Sequence, residues 1–240
     1  MGYLSAVYHG WHQGFSQIED ICRESVQPLF GDWTRVKTEE ECAEKVLAAL
    51  DKNCGRKAVH ILYYAFLTED PQKERELLLF LREAFRYKKE ILAHRHICPV
   101  WSVCERARAV SRERHRMLGL VRFRELRGGL LYGGIEPKYP VVPIMADHFM
   151  RRLPQETWVL HDRKRKTAVY YDGKEAVLGT VPELNEDMEE AGKEKEIAAL
   201  WRAFYQAISI PERKNESLRR QNMPKKYWKY LPELAPEKSY

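Results

Sequence analysis

Apolar residues recur every three or four positions through the first half of the chain. In the middle of the second half they recur every two, so the pattern predicts helices followed by strands. Leu4, Val7, Tyr8 and Trp11 share one helical face, as do Ala43, Val46, Leu47 and Leu50 behind the start signal Thr38-Glu-Glu-Glu. An apolar stretch from His60 to Leu67 stops at Thr68-Glu-Asp-Pro71. Pro71 suits the first turn of a helix reaching about Tyr87, with Leu77, Leu78, Leu81 and Phe85 inward. Gln17 to Phe30 reads equally as helix or extended chain. A long helix is predicted from about Pro99 to Leu118, with Val100, Val103, Cys104, Ala107, Val110 and Met117 as its buried stripe and Gly119 at its end.

Beyond Gly119 the period shortens. Leu120 to Leu126 alternates, Arg127-Gly-Gly129 turns and Leu130-Leu-Tyr132 returns, which predicts a hairpin with Arg122 and Arg124 on one face. A helix from Ile144 to Leu153 precedes a second hairpin, Thr157–His161 and Thr167–Tyr171, around Asp162-Arg-Lys-Arg165. Hairpin, helix, hairpin predicts a small antiparallel sheet with a helix on one face. An acidic stretch from Glu183 to Glu196 reads as a solvated loop entering a helix that aligns Ile197, Leu200, Trp201, Phe204 and Ile208. The expected class is α+β: a helical half, 1–118, packed with a sheet-bearing half, 119–240, as one compact unit ending in a C-terminal helix and basic tail.

Charge adds a partner class. Over 240 residues the formal net charge is +6, which points to an acidic partner without choosing among DNA, RNA, anionic membrane and acidic protein. The five cysteines form no CxxC pair, so a thiolate zinc site is not expected and reduced core thiols in a cytoplasmic protein are. No signal peptide and no apolar run of bilayer length is present, so no membrane partner is expected. There is no Gly-rich phosphate loop, no G-x-S-x-G elbow and no H-E-x-x-H. Neither metal nor cofactor is expected.

The bases gather in three places: the predicted helix from Arg106 to Arg116, the turn from Arg163 to Lys166, and the tail. Arg108, Arg112, Arg116, Arg122 and Arg163 are candidate phosphate contacts, because guanidinium forks match phosphate oxygens. In the tail, Arg213, Asn215, Lys225 and Lys226 accompany Tyr227 and Trp228, which either stack on an unpaired base or pack the tail onto the body. Arginines on exposed helix faces also serve solubility alone. Glu113, His115, Asp147 and Asp162 are candidate acid–base groups, which requires them to converge; otherwise they are ordinary paired residues. Glu113 and His115, two apart on a helix, do not face the same way.

Taken in order, several short runs resemble one family. They are Gly2-Tyr-Leu-Ser-Ala-Val-Tyr8, Glu113-Arg-His-Arg116 with Gly119, Arg122-Phe123, Ile135-Glu-Pro137, Asp147-His-Phe149 with Arg151, Trp158 to Asp162, Arg213-Lys-Asn215 and Met223-Pro-Lys-Lys-Tyr-Trp228. The series resembles a bacterial DNA-metabolism or DNA-repair family, a domain of unknown function encoded beside a radical-SAM DNA modification or repair protein. In other bacteria that domain is fused to a uracil-DNA-glycosylase-like domain. Relatives begin with a further segment resembling Tyr-Asp-Gly-Ser-Phe-Glu-Gly, and this sequence begins after it. The resemblance implies DNA as partner, together with a radical-SAM or uracil-DNA-glycosylase-like protein. It implies an accessory DNA-binding role and carries over no catalytic residue. A glycosylase- or nuclease-like enzyme and a protein-interaction module remain the alternatives. The three-cysteine motif of a radical-SAM cluster is absent here, so the iron–sulfur chemistry would belong to the partner.

Overall fold

A computed structural model of the chain describes residues 1–14, 18–22, 33–181, 194–209 and 215–234. Most of the predicted acidic stretch (183–193), most of the ambiguous Gln17–Phe30 segment and Arg213 lie outside them. The chain divides into two compact units, Met1–Ser111 and Arg112–Tyr240. The class is α+β, with helices in the N-terminal half and the sheet in the C-terminal half.

The first unit holds helices α1 (Gly2–Gly14), α2 (Glu40–Cys54), α3 (Arg56–Phe66) and α4 (Lys73–Tyr87), a 3-10 turn Lys88–Ala93, and the start of α5 (Cys98–Leu120). The predicted stripes meet in one core of Val7, Val46, Leu50, Leu62, Leu77, Leu81, Val100 and Val103, all buried, joined by Phe80, which lies outside the predicted stripe. Gly55, at φ 85, separates α2 from α3 in a conformation that side chains resist. The end of α3 is sealed by side chains. Thr68 Oγ1 donates to the Ala65 carbonyl at 2.7 Å, and buried Lys73 Nζ donates to the carbonyls of Phe66 and Thr68 at 2.7 and 2.6 Å. Pro71 falls in the turn just ahead of α4 rather than inside its first turn.

The second unit carries a five-stranded sheet in the order β1-β2-β3-β4-β5. The strands are β1 (Arg124–Glu125), β2 (Leu131–Ile135), β3 (Trp158–Asp162), β4 (Thr167–Tyr171) and β5 (Ala176–Thr180). The β1–β2 turn uses two successive left-handed glycines, Gly128 at φ 93 and Gly129 at φ 82, as the predicted Gly-Gly hairpin requires. One expectation changes: the sheet is mixed, not purely antiparallel. Helix α6 (Val142–Arg152) carries the chain back across the sheet, so β2 and β3 run parallel, Leu131 opposite Trp158. A crossover helix restores strand direction where a hairpin reverses it. The fifth strand, β5, was not expected; it pairs antiparallel with β4 and is exposed along its length.

Under α6 lies an aromatic core. The rings of Phe149 and Trp158 are 6.1 Å apart, those of Phe123 and Phe149 5.1 Å, and those of Trp158 and Tyr171 5.2 Å. Helices α7 (Glu194–Ile208) and α8 (Glu216–Asn222) and a 3-10 turn Lys225–Tyr230 complete the unit. The apolar stripe predicted for α7 forms, but Ile197, Leu200 and Phe204 on it are exposed.

Arg106 leaves the set of available cations. It bonds Glu76 through Nε at 2.7 Å and Asp70 through a terminal nitrogen at 2.9 Å. The Arg106 bond holds the Glu76 carboxyl below its ordinary value. The backbone amide of Gln72, and then Arg106, do the same for Asp70. A carboxylate with a depressed folded pKa contributes stability above its unfolded pKa and loses it as pH falls through the folded value. Replacing Arg106 by Gln is therefore expected to lower the unfolding midpoint at neutral pH. It should also flatten the loss of stability below about pH 4, the ordinary carboxylate range, in denaturant titrations across pH.

Candidate nucleic-acid interface

A basic cleft opens in the first unit between α3 and α5. On α3, Arg56, Lys57, His60, Ile61 and Tyr64 fall on one helical face; on α5, Cys104, Ala107, Arg108 and Ser111 do the same. With Arg95 they line a cleft of about 410 Å³, within the size range of small-ligand sites. Arg108 is held by Glu105. Among the described residues Arg56, Lys57 and Arg95 make no ion pair. The rings of His60 and Tyr64 stack at 4.0 Å, which sets a flat face beside the cations. Buried Cys104 forms part of the wall. Burial pushes its thiol up, against the opposing pull of Arg95, Arg108 and Lys57. Guanidinium and ammonium groups around an aromatic plane can hold a phosphate and the base attached to it. Of these residues only Arg108 is a candidate phosphate contact by sequence, while Cys104 and Ala107 read there as buried stripe. The available signal was Arg56-Lys57 followed by His60 and Tyr64 at helical spacing, overlooked because the stretch from His60 reads as apolar core.

In the second unit the tail is organised by Glu113, only 3% exposed. Its Oε1 accepts from the Tyr227 hydroxyl at 2.6 Å and the Lys138 amide at 2.7 Å, and Oε2 accepts from Arg116 at 3.0 Å. Burial, then the hydrogen bond to Glu113 and that carboxylate's charge, push the Tyr227 phenol far above its usual value. Tyr227 is thus a clasp, and Leu231 beside it is fully buried. Trp228 differs: it is half-buried, anchored by Nε1 on the Met223 carbonyl at 2.8 Å, with Arg219 4.8 Å and Lys225 6.0 Å from its ring. Lys225 and Lys226 are exposed. Asn215 caps α8, its side-chain oxygen accepting from the Leu218 amide at 2.9 Å. Arg122 bonds Glu233 at 2.8 Å and the carbonyls of Gly119 and Val121. Arg163 lies 6.0 Å from the Tyr230 ring, and Arg112 is exposed on α5.

The acid–base candidates separate into two kinds. Asp162 is fully buried and accepts from the Arg165 guanidinium at 2.7 Å and the Arg165 amide at 3.1 Å. Arg165 also donates to the carbonyls of Pro137 at 3.2 Å and Lys138 at 2.7 Å. Glu113 and Asp162 are thereby brought to opposite sides of one loop, each acting as a brace. His115 and Asp147 are exposed, on α5 and α6.

Residues 71–233 match the family of the domain of unknown function DUF4130. The chain belongs to the DUF4130 family. No curated protein and no solved structure matches it. The DUF4130 span takes in Glu113, Lys138 and Tyr227, so the clasp lies wholly inside the family region, whereas the α3 side of the basic cleft lies before it. Among the described residues of this DUF4130 protein no helix is long and apolar enough to cross a membrane. Replacing Tyr227 by Phe removes a hydrogen bond to a buried carboxylate. It is expected to cost about 1.5–3 kcal/mol in chemical denaturation, with the circular dichroism spectrum unchanged.

Proposed function

We propose that this DUF4130 protein binds nucleic acid, DNA in particular, as an accessory in DNA repair or DNA metabolism. It would act in the cytoplasm alongside a radical-SAM or uracil-DNA-glycosylase-like partner that performs the chemistry. The observation that carries the reading is the α3–α5 cleft. Arg56, Lys57, Arg95 and Arg108 gather there around the stacked His60–Tyr64 pair. Three of these four cations have no carboxylate partner among the described residues, so their charge is available to an incoming anion.

A lone phosphate would need the cations and have no use for the aromatic plane. A nucleotide unit of a strand uses both. The formal charge of +6 adds long-range attraction for a polyanion. Lys225, Lys226 and Trp228 offer a second basic and aromatic surface on the tail, and Arg112 another exposed cation. The DNA-repair setting and the partner classes rest on the family resemblance in the sequence. An accessory role accords better with the carboxylates than a hydrolytic one does, because Glu113 and Asp162 commit their oxygens to holding a loop and the tail.

The test is fluorescence anisotropy with single- and double-stranded oligonucleotides across a salt series. Binding is expected to weaken with salt. Replacing Arg56, Lys57 and Arg95 together by Ala should reduce the slope of log affinity against log salt by about 0.7 per lost contact on a single strand. Binding that ignores salt would sink the proposal. A triple variant indistinguishable from the parent would move the interface off this cleft.

A further inference from the structure

We propose that His9, Glu39 and Cys42 form a site for a divalent cation of the zinc class, joining α1 to the start of α2 and leaving one coordination position open to solvent. Glu39 and Cys42 stand three residues apart at the start of α2, and His9 reaches them from α1, thirty residues earlier in the chain. Their ligand atoms nevertheless lie within 4.8 Å of one another. His9 Nε2 is 3.7 Å from Glu39 Oε1, and Cys42 Sγ is 3.2 Å from Glu39 Oε2. In a tetrahedral zinc centre with bonds of about 2.0–2.3 Å, ligand atoms stand roughly 3.3–3.8 Å apart. Small side-chain rotations therefore suffice to close the set.

The backbone around these ligands is already fixed. Ser5 and His9 are one helical turn apart on α1 and so share a face. Ser5, fully buried, grips the Glu39 backbone from both sides: its hydroxyl donates to the Glu39 carbonyl at 2.8 Å and accepts from the Glu39 amide at 3.0 Å. Glu39 occupies the cap position of α2 in extended conformation, yet its carboxylate makes no capping bond. It turns instead toward His9 and Cys42. Cys42 stands in the first turn of α2 with its thiol buried, while the His9 and Glu39 side chains are 39% and 50% exposed. The site is thus anchored on the sulfur side and open on the other, where a water or substrate atom would take the fourth position. The nearby cation, Lys45, is engaged by Glu41 at 2.7 Å, which blunts its repulsion of an incoming metal.

The donor set chooses the ion. Imidazole nitrogen, thiolate sulfur and one carboxylate oxygen suit zinc, and cobalt as its probe, over magnesium or calcium, which require oxygen ligands. Binding displaces the Cys42 proton into solvent, since the thiolate is the ligand. All three residues precede the span matched to DUF4130, so the family assignment does not imply this site.

The test uses the full chain stripped with chelator and titrated with cobalt, then with zinc by equilibrium dialysis. One tightly held ion per chain is expected, with a thiolate-to-cobalt charge-transfer band. His9→Ala should weaken affinity at least tenfold. Cys42→Ser should abolish the band, while circular dichroism shows both variants folded. Zinc should raise the melting temperature of the parent and, at the same concentration, raise that of His9→Ala by less. The competing location is exposed Cys98 near His94 and His96, whose rings lie 5.5 Å apart, so Cys98→Ser is the control and should bind as the parent does. No uptake by the folded parent overturns the proposal. So does uptake that survives His9→Ala and Cys42→Ser, or uptake that disappears with Cys98→Ser.

Discussion

A carboxylate removed from water must be met by donors, and in the sheet-bearing unit the seating of Tyr227 follows from how Glu113 meets that demand. Its three donors come from three parts of the chain: Arg116 one turn along α5, the backbone of Lys138 in the loop after β2, and the hydroxyl of Tyr227 near the C-terminus. Each donor satisfies the charge and is itself fixed by it. The Lys138 loop is held from its other side by Arg165, which is neutralised by buried Asp162. Two buried charges of the same sign are thus kept apart by one short loop, each with its own arginine.

Much of the fold was legible because helix burial follows a simple period. The stripes of α1, α2, α4 and α5 could be read directly, and most of their residues are buried, although Trp11 at the end of the α1 stripe is exposed. The first hairpin was legible from Gly128-Gly129, where backbone geometry restricts residue choice. The parallel β2–β3 pairing was not, because alternation in a strand does not record the direction of its neighbour. β5 was missed because Ala176 to Thr180 is exposed on both faces and has no buried alternation to display.

The candidate sites were less legible, for a different reason. Arginine is one letter whether it binds phosphate, braces a helix or caps a turn. Arg106, Arg116 and Arg122 look like their neighbours in sequence but are committed to Glu76 and Asp70, to Glu113, and to Glu233. Arg56 and Arg95 have no sequence pattern that sets them apart, and they line the cleft. Partnership depends on tertiary neighbours, and sequence spacing reveals those only within a single helix. Tyr227 shows the same limit: composition suggested either a stacking surface or a packed clasp, and the decisive partner is 114 residues away.

That separation also has a consequence in time. At ribosomal rates of about 5–20 residues per second, Tyr227 emerges on the order of ten seconds after Glu113. The helical unit ends at Ser111, and the residues of its core, the last of them Ala107, are all made ahead of the sheet unit. The sheet unit instead waits a further 114 residues before its buried carboxylate has its final donor. A chain cut short upstream of Tyr227 would keep the residues of the helical core and leave Glu113 without one of its three donors.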